Sequence, residues 1–143
     1  VSADPRILLI NRTLDRGEVL DLYRASDCFI SLHRSEGFGR GMAEAMALGC
    51  PVIATGYSGN MDFTTDATAA LIDFELGDVG NEEYAFSSGQ QWAYPSVEHA
   101  ASCMLKMSTD RQYRERLVAT ARSLMTTTYS PEAVGRRYLM AGF

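Results

Sequence analysis

A chain of 143 residues and 15.7 kDa fits one domain by length. Thirteen Lys and Arg stand against eighteen Asp and Glu, a formal charge of −5 that offers no global footprint for nucleic acid or an anionic membrane. Apolar residues at 46% and charged residues at 22% exclude a disordered chain, and no apolar run approaches the ~18 residues that suggest a membrane-spanning helix.

In chain order, Arg6-Ile7-Leu8-Leu9-Ile10 is a continuous apolar run, as in a strand buried on both faces of a parallel sheet. Residues 13–26 carry Leu14, Val19, Leu20, Leu22 and Tyr23 at helical spacing. Asp27 to Leu32 reads as a second strand, and Arg40 to Leu48 as a helix after a Gly-rich turn. Gly49 stands at the position that ends such a helix, with Pro51 after it. Residues 51–55 and 68–73 read as further strands. Between Phe74 and Pro95 there is no clear period, so a long functional or mobile loop is expected. Residues 96–107, 110–126 and 131–140 read as three helices, the last opened by Ser130 as cap and Pro131 in the first turn. Strand and helix alternating over residues 27–55 predict βαβ units: an α/β fold with a Rossmann-like parallel sheet and flanking helices.

Three cysteines, Cys28, Cys50 and Cys103, lack CxxC spacing and read as small buried hydrophobes in a reducing compartment. No basic stretch followed by an apolar one opens the sequence, so no signal peptide is read and a cytoplasmic location is expected. No His and Cys stand at metal-ligand spacing, and no metal is expected. His99 reads as structural, and the methionines at helical positions, Met104 and Met140 among them, read as core filling.

Chemistry concentrates in Ser35-Glu36-Gly37-Phe38-Gly39-Arg40-Gly41-Met42-Ala43-Glu44. This segment follows a strand and opens a helix. Its amides from Gly39 to Met42 would be the unpaired donors of a helix N-terminus, which with the helix dipole favour an anion such as phosphate. The C-terminal end of a parallel strand is also where open α/β sheets take ligands. Glu36 and Glu44 bracket the turn. Carboxylates only accept hydrogen bonds, which suits them to sugar or ribose hydroxyls. Arg40 shares a helix face with Glu44. A packing turn with a solvated Glu44 is an equally valid reading of these residues. His33 and Ser35, just before Glu36, are candidate ligand contacts. Ser58-Gly59-Asn60 reads either as the start of a short helix near the ligand or as a simple capping turn.

From Glu36 to Thr55 the sequence resembles the signature of retaining glycosyltransferases of family 4, also called group 1. That signature is two glutamates separated by seven residues, an Ala-Met-Ala helix, then Gly-x-Pro-Val and a strand. Leu22 to Ile30 is similar to the family's approach to this site. Gly56 to Phe63 and Trp92-Ala93-Tyr94-Pro95 are similar to a branch acting in bacterial polysaccharide synthesis. The resemblance implies the nucleotide-sugar-binding, C-terminal half of a GT-B enzyme, with residues 1–143 forming part of that domain and an N-terminal acceptor domain lying outside it. Glu36 is then catalytic, orienting the donor sugar. Gly37, Phe38, Gly39, Arg40, Gly41 and Met42 meet sugar and diphosphate, and Glu44 holds the ribose. The resemblance implies transfer with retention, in polysaccharide or glycolipid synthesis, with no cofactor and no metal, and peripheral membrane contact for the full-length protein. The family's upstream Arg and Lys for the diphosphate do not appear, and the only lysine, Lys106, falls in a late helix. A non-catalytic nucleotide-sugar-binding or interaction module is the alternative.

Overall fold

Three parallel strands form the centre of the molecule. The computed structural model describes residues 4–142. Helix α1 (Arg16–Ala25) starts at a reciprocal cap, in which the Asp15 side chain accepts from the Glu18 amide and the Glu18 side chain accepts from the Asp15 amide. Strand β1 (Phe29–Ser31) leads through the Gly-rich turn into helix α2 (Arg40–Ala47), and strand β2 (Val52–Thr55) follows. A 3₁₀ turn (Gly59–Asp62) connects to strand β3 (Ala70–Ile72). The sheet order is β1-β2-β3, parallel throughout, with Ile53 opposite both Ile30 and Ala70.

Helices cover both faces because β2 is apolar on both. Val52 and Ala54 join Met42, Ala45 and Met46 of α2 on one face. Ile53 joins Ile72 on the other, against Ala100 and Met107 of helix α3 (Val97–Thr109). Helix α4 (Arg111–Thr127) contributes Ala121 and Met125 to the first cluster and Leu117 to the second. Ala45, with no accessible surface, lets α2 lie close to the strands. Helix α5 (Pro131–Met140) begins as expected, the Ser130 hydroxyl accepting from the Ala133 amide. The α/β class and its Rossmann-like arrangement are thus as predicted.

Three expectations are corrected. Arg6 to Ile10 is not a strand, and its side chains lie exposed, Leu8 at 85%. An apolar run becomes a buried strand only where a neighbour accepts its backbone hydrogen bonds and both faces are covered; among the described residues it has neither. Residues 74–95 are not a structureless loop. Strands β4 (Phe74–Asp78) and β5 (Gln91–Pro95) form an antiparallel hairpin, with Gly77 opposite Trp92 and the Tyr94 ring packed over Gly77. Met104 and Met140 are exposed rather than buried.

Candidate active site

The turn from β1 to α2 is set by backbone contacts. Gly39 caps α2 in the left-handed region (φ 88°), and a side chain there would collide with the Met42 methyl group. On the opposite side, the segment after β2 clasps Glu36. The Glu36 amide donates to the Ser58 hydroxyl at 2.7 Å, and the Gly59 amide donates to the Glu36 carbonyl at 3.0 Å. Ser58 adopts φ 70°, uncommon for a residue with a side chain. A Cβ at Gly59 would run into the Gly37 carbonyl oxygen, so only glycine fits.

The clasp rests on Asn60, which is fully buried. Its amide nitrogen donates to the Thr55 carbonyl (3.0 Å) and the Thr64 hydroxyl (2.9 Å), and its oxygen lies 3.0 Å from His33 Nε2. Nε2 also lies 3.1 Å from the Tyr57 carbonyl, while Nδ1 faces the Ser31 hydroxyl at 3.1 Å. Two acceptors around Nε2 place the proton there, leaving Nδ1 to accept from Ser31. His33 therefore ties the ends of β1 and β2 together, its ring nitrogens engaged within the protein.

Among the described residues, no acceptor meets the amides of Gly37 through Met42. Glu44, one turn into α2, is 16% exposed and held by two guanidiniums: Arg16 Nη1 on Oε2 at 2.7 Å and Arg40 Nε near Oε1 at 3.6 Å. The bond to Glu44 holds the Arg16 proton above the ordinary arginine range. Beside them, burial first and the Glu44 charge second push the Tyr23 phenol above its ordinary value. Arg16 carries no motif signal in the sequence; its role appears only when α1 lies against α2.

The expected site residues divide into three environments. Arg40, Gly41 and Glu44 line a depression of about 350 Å³ with Arg16 and Tyr23. Ser35, Glu36 and Gly37 line a separate cavity of about 560 Å³ that the β4–β5 hairpin closes. Phe38 packs on Phe63 and Tyr129, with ring centres 5.0 and 6.2 Å away, and Met42 lies in the core. Met42 therefore offers the turn only its backbone, whereas Phe38 is 43% exposed. The two glutamates thus face different hollows, with the open amides between them in the chain. Glu36 reaches its cavity without an ion pair among the described residues. Arg34, which sequence reasoning missed, joins the hairpin to this turn: its carbonyl accepts from the Ala93 amide, and its guanidinium lies 4.5 Å from the Trp92 ring centre and 4.9 Å from that of Tyr94.

His99 Nδ1 lies 3.2 Å from the Asp73 amide nitrogen and 2.9 Å from Asp73 Oδ2, which ties α3 to the end of β3. No three metal-ligating side chains converge among the described residues, and no helix there is long and apolar enough to cross a membrane.

Open amides after a parallel strand, with an acid on either side in the chain, form a turn of the kind at which open α/β sheets take anionic ligands. The family model for glycosyl transferases group 1 matches residues 7–79, just over half of the chain, and the chain belongs to that family. It is similar to the solved C-terminal domain of a glycosyl transferase group 1 family protein, LpcC, from Francisella tularensis, at 27% identity and a TM-score of 0.58. The match covers 85% of this chain and 53% of that one, so the chain spans about half of that structure. No curated protein sequence matches it.

Proposed function

We propose that residues 1–143 form part of the C-terminal, donor-binding domain of a retaining GT-B glycosyltransferase, binding a nucleotide-activated sugar. In this reading the diphosphate lies on the amides of Gly39 to Met42, Glu44 receives the ribose hydroxyls, and Glu36 orients the sugar. A separate acceptor domain completes the enzyme, which works in polysaccharide or glycolipid synthesis at the inner face of a membrane. The departing diphosphate is stabilised by the α2 dipole and the Arg40 guanidinium, with Arg16 beside it, and without a metal ion. The reading rests on one observation: a run of unpaired amides at the C-terminal end of a parallel strand, flanked by a carboxylate on each side.

Nucleoside diphosphates soaked into crystals of the chain should show phosphate on the Gly39 to Met42 amides, and in solution should shift those amide resonances. Glu44→Ala should weaken nucleotide binding, and in the two-domain enzyme Glu36→Ala should abolish transfer. Phosphate seated elsewhere, or full transfer by Glu36→Ala, would overturn the reading. Donor binding by a two-domain protein that transfers nothing would point to a non-catalytic module.

A further inference from the structure

The β4–β5 hairpin closes the Glu36 cavity. Tyr84 and Phe86 in its connecting loop stand exposed, Phe86 at 98%, yet both line that cavity. Phe86 is moreover held at φ 57°, a conformation that costs a bulky residue on the order of 1–3 kcal/mol. An exposed aromatic on a strained backbone is maintained by function more readily than by folding. The loop around it is ordered from within: the Gly80 amide donates to the Glu83 carboxylate, the Val79 amide to the Gln90 carbonyl, and Ser87 is buried. Arg34 fixes the whole device to the Glu36 turn, through the Ala93 amide, the Trp92 and Tyr94 rings, and a 3.3 Å ion pair to Glu83.

The cavity combines aromatic rings with hydrogen-bond acceptors. A pyranose ring has an apolar face of C–H bonds and a rim of hydroxyls. The negative face of an aromatic ring attracts the former, and acceptors such as Glu36 and the Gln90 amide oxygen take the latter. At about 560 Å³ the space is within the ~300–1,000 Å³ range of small-ligand sites. The wall is also incompletely satisfied, since Trp92 Nε1 is buried with no acceptor among the described residues. Tyr84, Phe86 and Trp92 all lie beyond the segment matched to the family, residues 7–79. We infer that the β4–β5 hairpin is a sugar-recognition element in which Tyr84 and Phe86 stack on a hexose ring whose hydroxyls reach Glu36. This rests on the donor-domain reading for the source of the sugar, which is either the donor's own hexose or an acceptor's.

Trp92 is the only tryptophan, so its fluorescence reports on this wall alone. The chain is titrated with methyl glycosides of glucose, mannose and N-acetylglucosamine, then with UDP- and GDP-sugars, with UDP and GDP as controls. A sugar-dependent change in Trp92 emission is expected, weakened about tenfold by Tyr84→Ala or Phe86→Ala; both side chains are exposed, so neither change disturbs the core. A response to glycosides assigns an acceptor, and a response to nucleotide sugars alone assigns the donor. If no sugar changes the emission while nucleotides shift the Gly39 to Met42 amides, the hairpin proposal falls and the donor reading stands. If glycosides change it and no nucleotide moves those amides, the donor reading falls and the hairpin remains a sugar site. Emission changes that persist undiminished in both alanine variants overturn the proposal.

Discussion

The two ends of the central sheet share one backbone polarity and have opposite chemistry. At the C-terminal ends of β1 and β2, the chain turns through Glu36 to Gly39 and Ser58 to Asn60, leaving amides and a carboxylate open. At the N-terminal ends lie Cys28 and Cys50, thiols half-buried or buried among apolar side chains. Strand direction accounts for the contrast. A parallel strand delivers the chain into the N-terminus of the next helix, where amides lack partners, and receives it from a helix that has already closed. Within the reactive end a second contrast appears. Glu36 is fixed through its backbone, which leaves the carboxylate available, whereas Glu44 is fixed through its carboxylate by Arg16 and Arg40.

The largest effect should come from the buried network that orders the reactive end. Asn60→Ala removes partners from the Thr55 carbonyl, the Thr64 hydroxyl and His33. Each of the three keeps a second partner, so the cost is that of three buried hydrogen bonds at ~0.5–1.5 kcal/mol each, and a loss of about 3 kcal/mol in urea unfolding is expected. Gly59→Ala should follow, at about 1–3 kcal/mol, because the new methyl meets the Gly37 backbone rather than a side chain that can move. It should also distort the Glu36 turn and reduce nucleotide affinity. Wild-type stability in either variant would show that the clasp does not hold the site.

Glu44→Gln tests the other manner of fixing. Arg16 and Arg40 are well exposed, and exposed ion pairs are worth ~0–1 kcal/mol, so the midpoint of unfolding should scarcely move. Nucleotide affinity should nonetheless fall, since a carboxylate accepts two ribose hydroxyls and a carboxamide has one acceptor oxygen. A large stability loss would mean that Glu44 serves the α1–α2 contact instead of a ligand.

What the sequence revealed follows the same division. Local rules place Gly39 and Gly49, both at positive φ, and the Ser130 cap, because each is decided within a few residues. The β1-α2-β2 unit was legible because its strands are apolar on both faces. The hairpin was not: Glu75, Gly77 and Asp78 dilute one strand, and in the other the buried residue is the small Ala93 while the larger Tyr94 is exposed, so no apolar–polar alternation marks it. Arg16 and Arg34 act across elements distant in the chain, which no local pattern encodes. The run at residues 6–10 misled in the reverse sense, since its apolar character says nothing about whether a partner strand adjoins it.

The inert end of the sheet gives the smallest effect and the sharpest control. Burial pushes the Cys28 thiol from 9.0 up to about 12, and raises Cys50 and Cys103 as well. The nucleophile is the thiolate, so near pH 8 alkylation by iodoacetamide should be slow in the native chain and fast in urea. The same shift predicts the alkaline limb of stability. Below pH 9 the Cys28 thiol is protonated in both states, and its neutral-form advantage is fully present. As pH rises from 9 towards 12, the unfolded chain releases that proton first, and the advantage is progressively lost. Cys28→Ala should remove this part of the decline while leaving nucleotide binding unchanged. If alkylation of native Cys28 is rapid at neutral pH, or if its loss alters nucleotide affinity, the two ends of the sheet are not chemically separate.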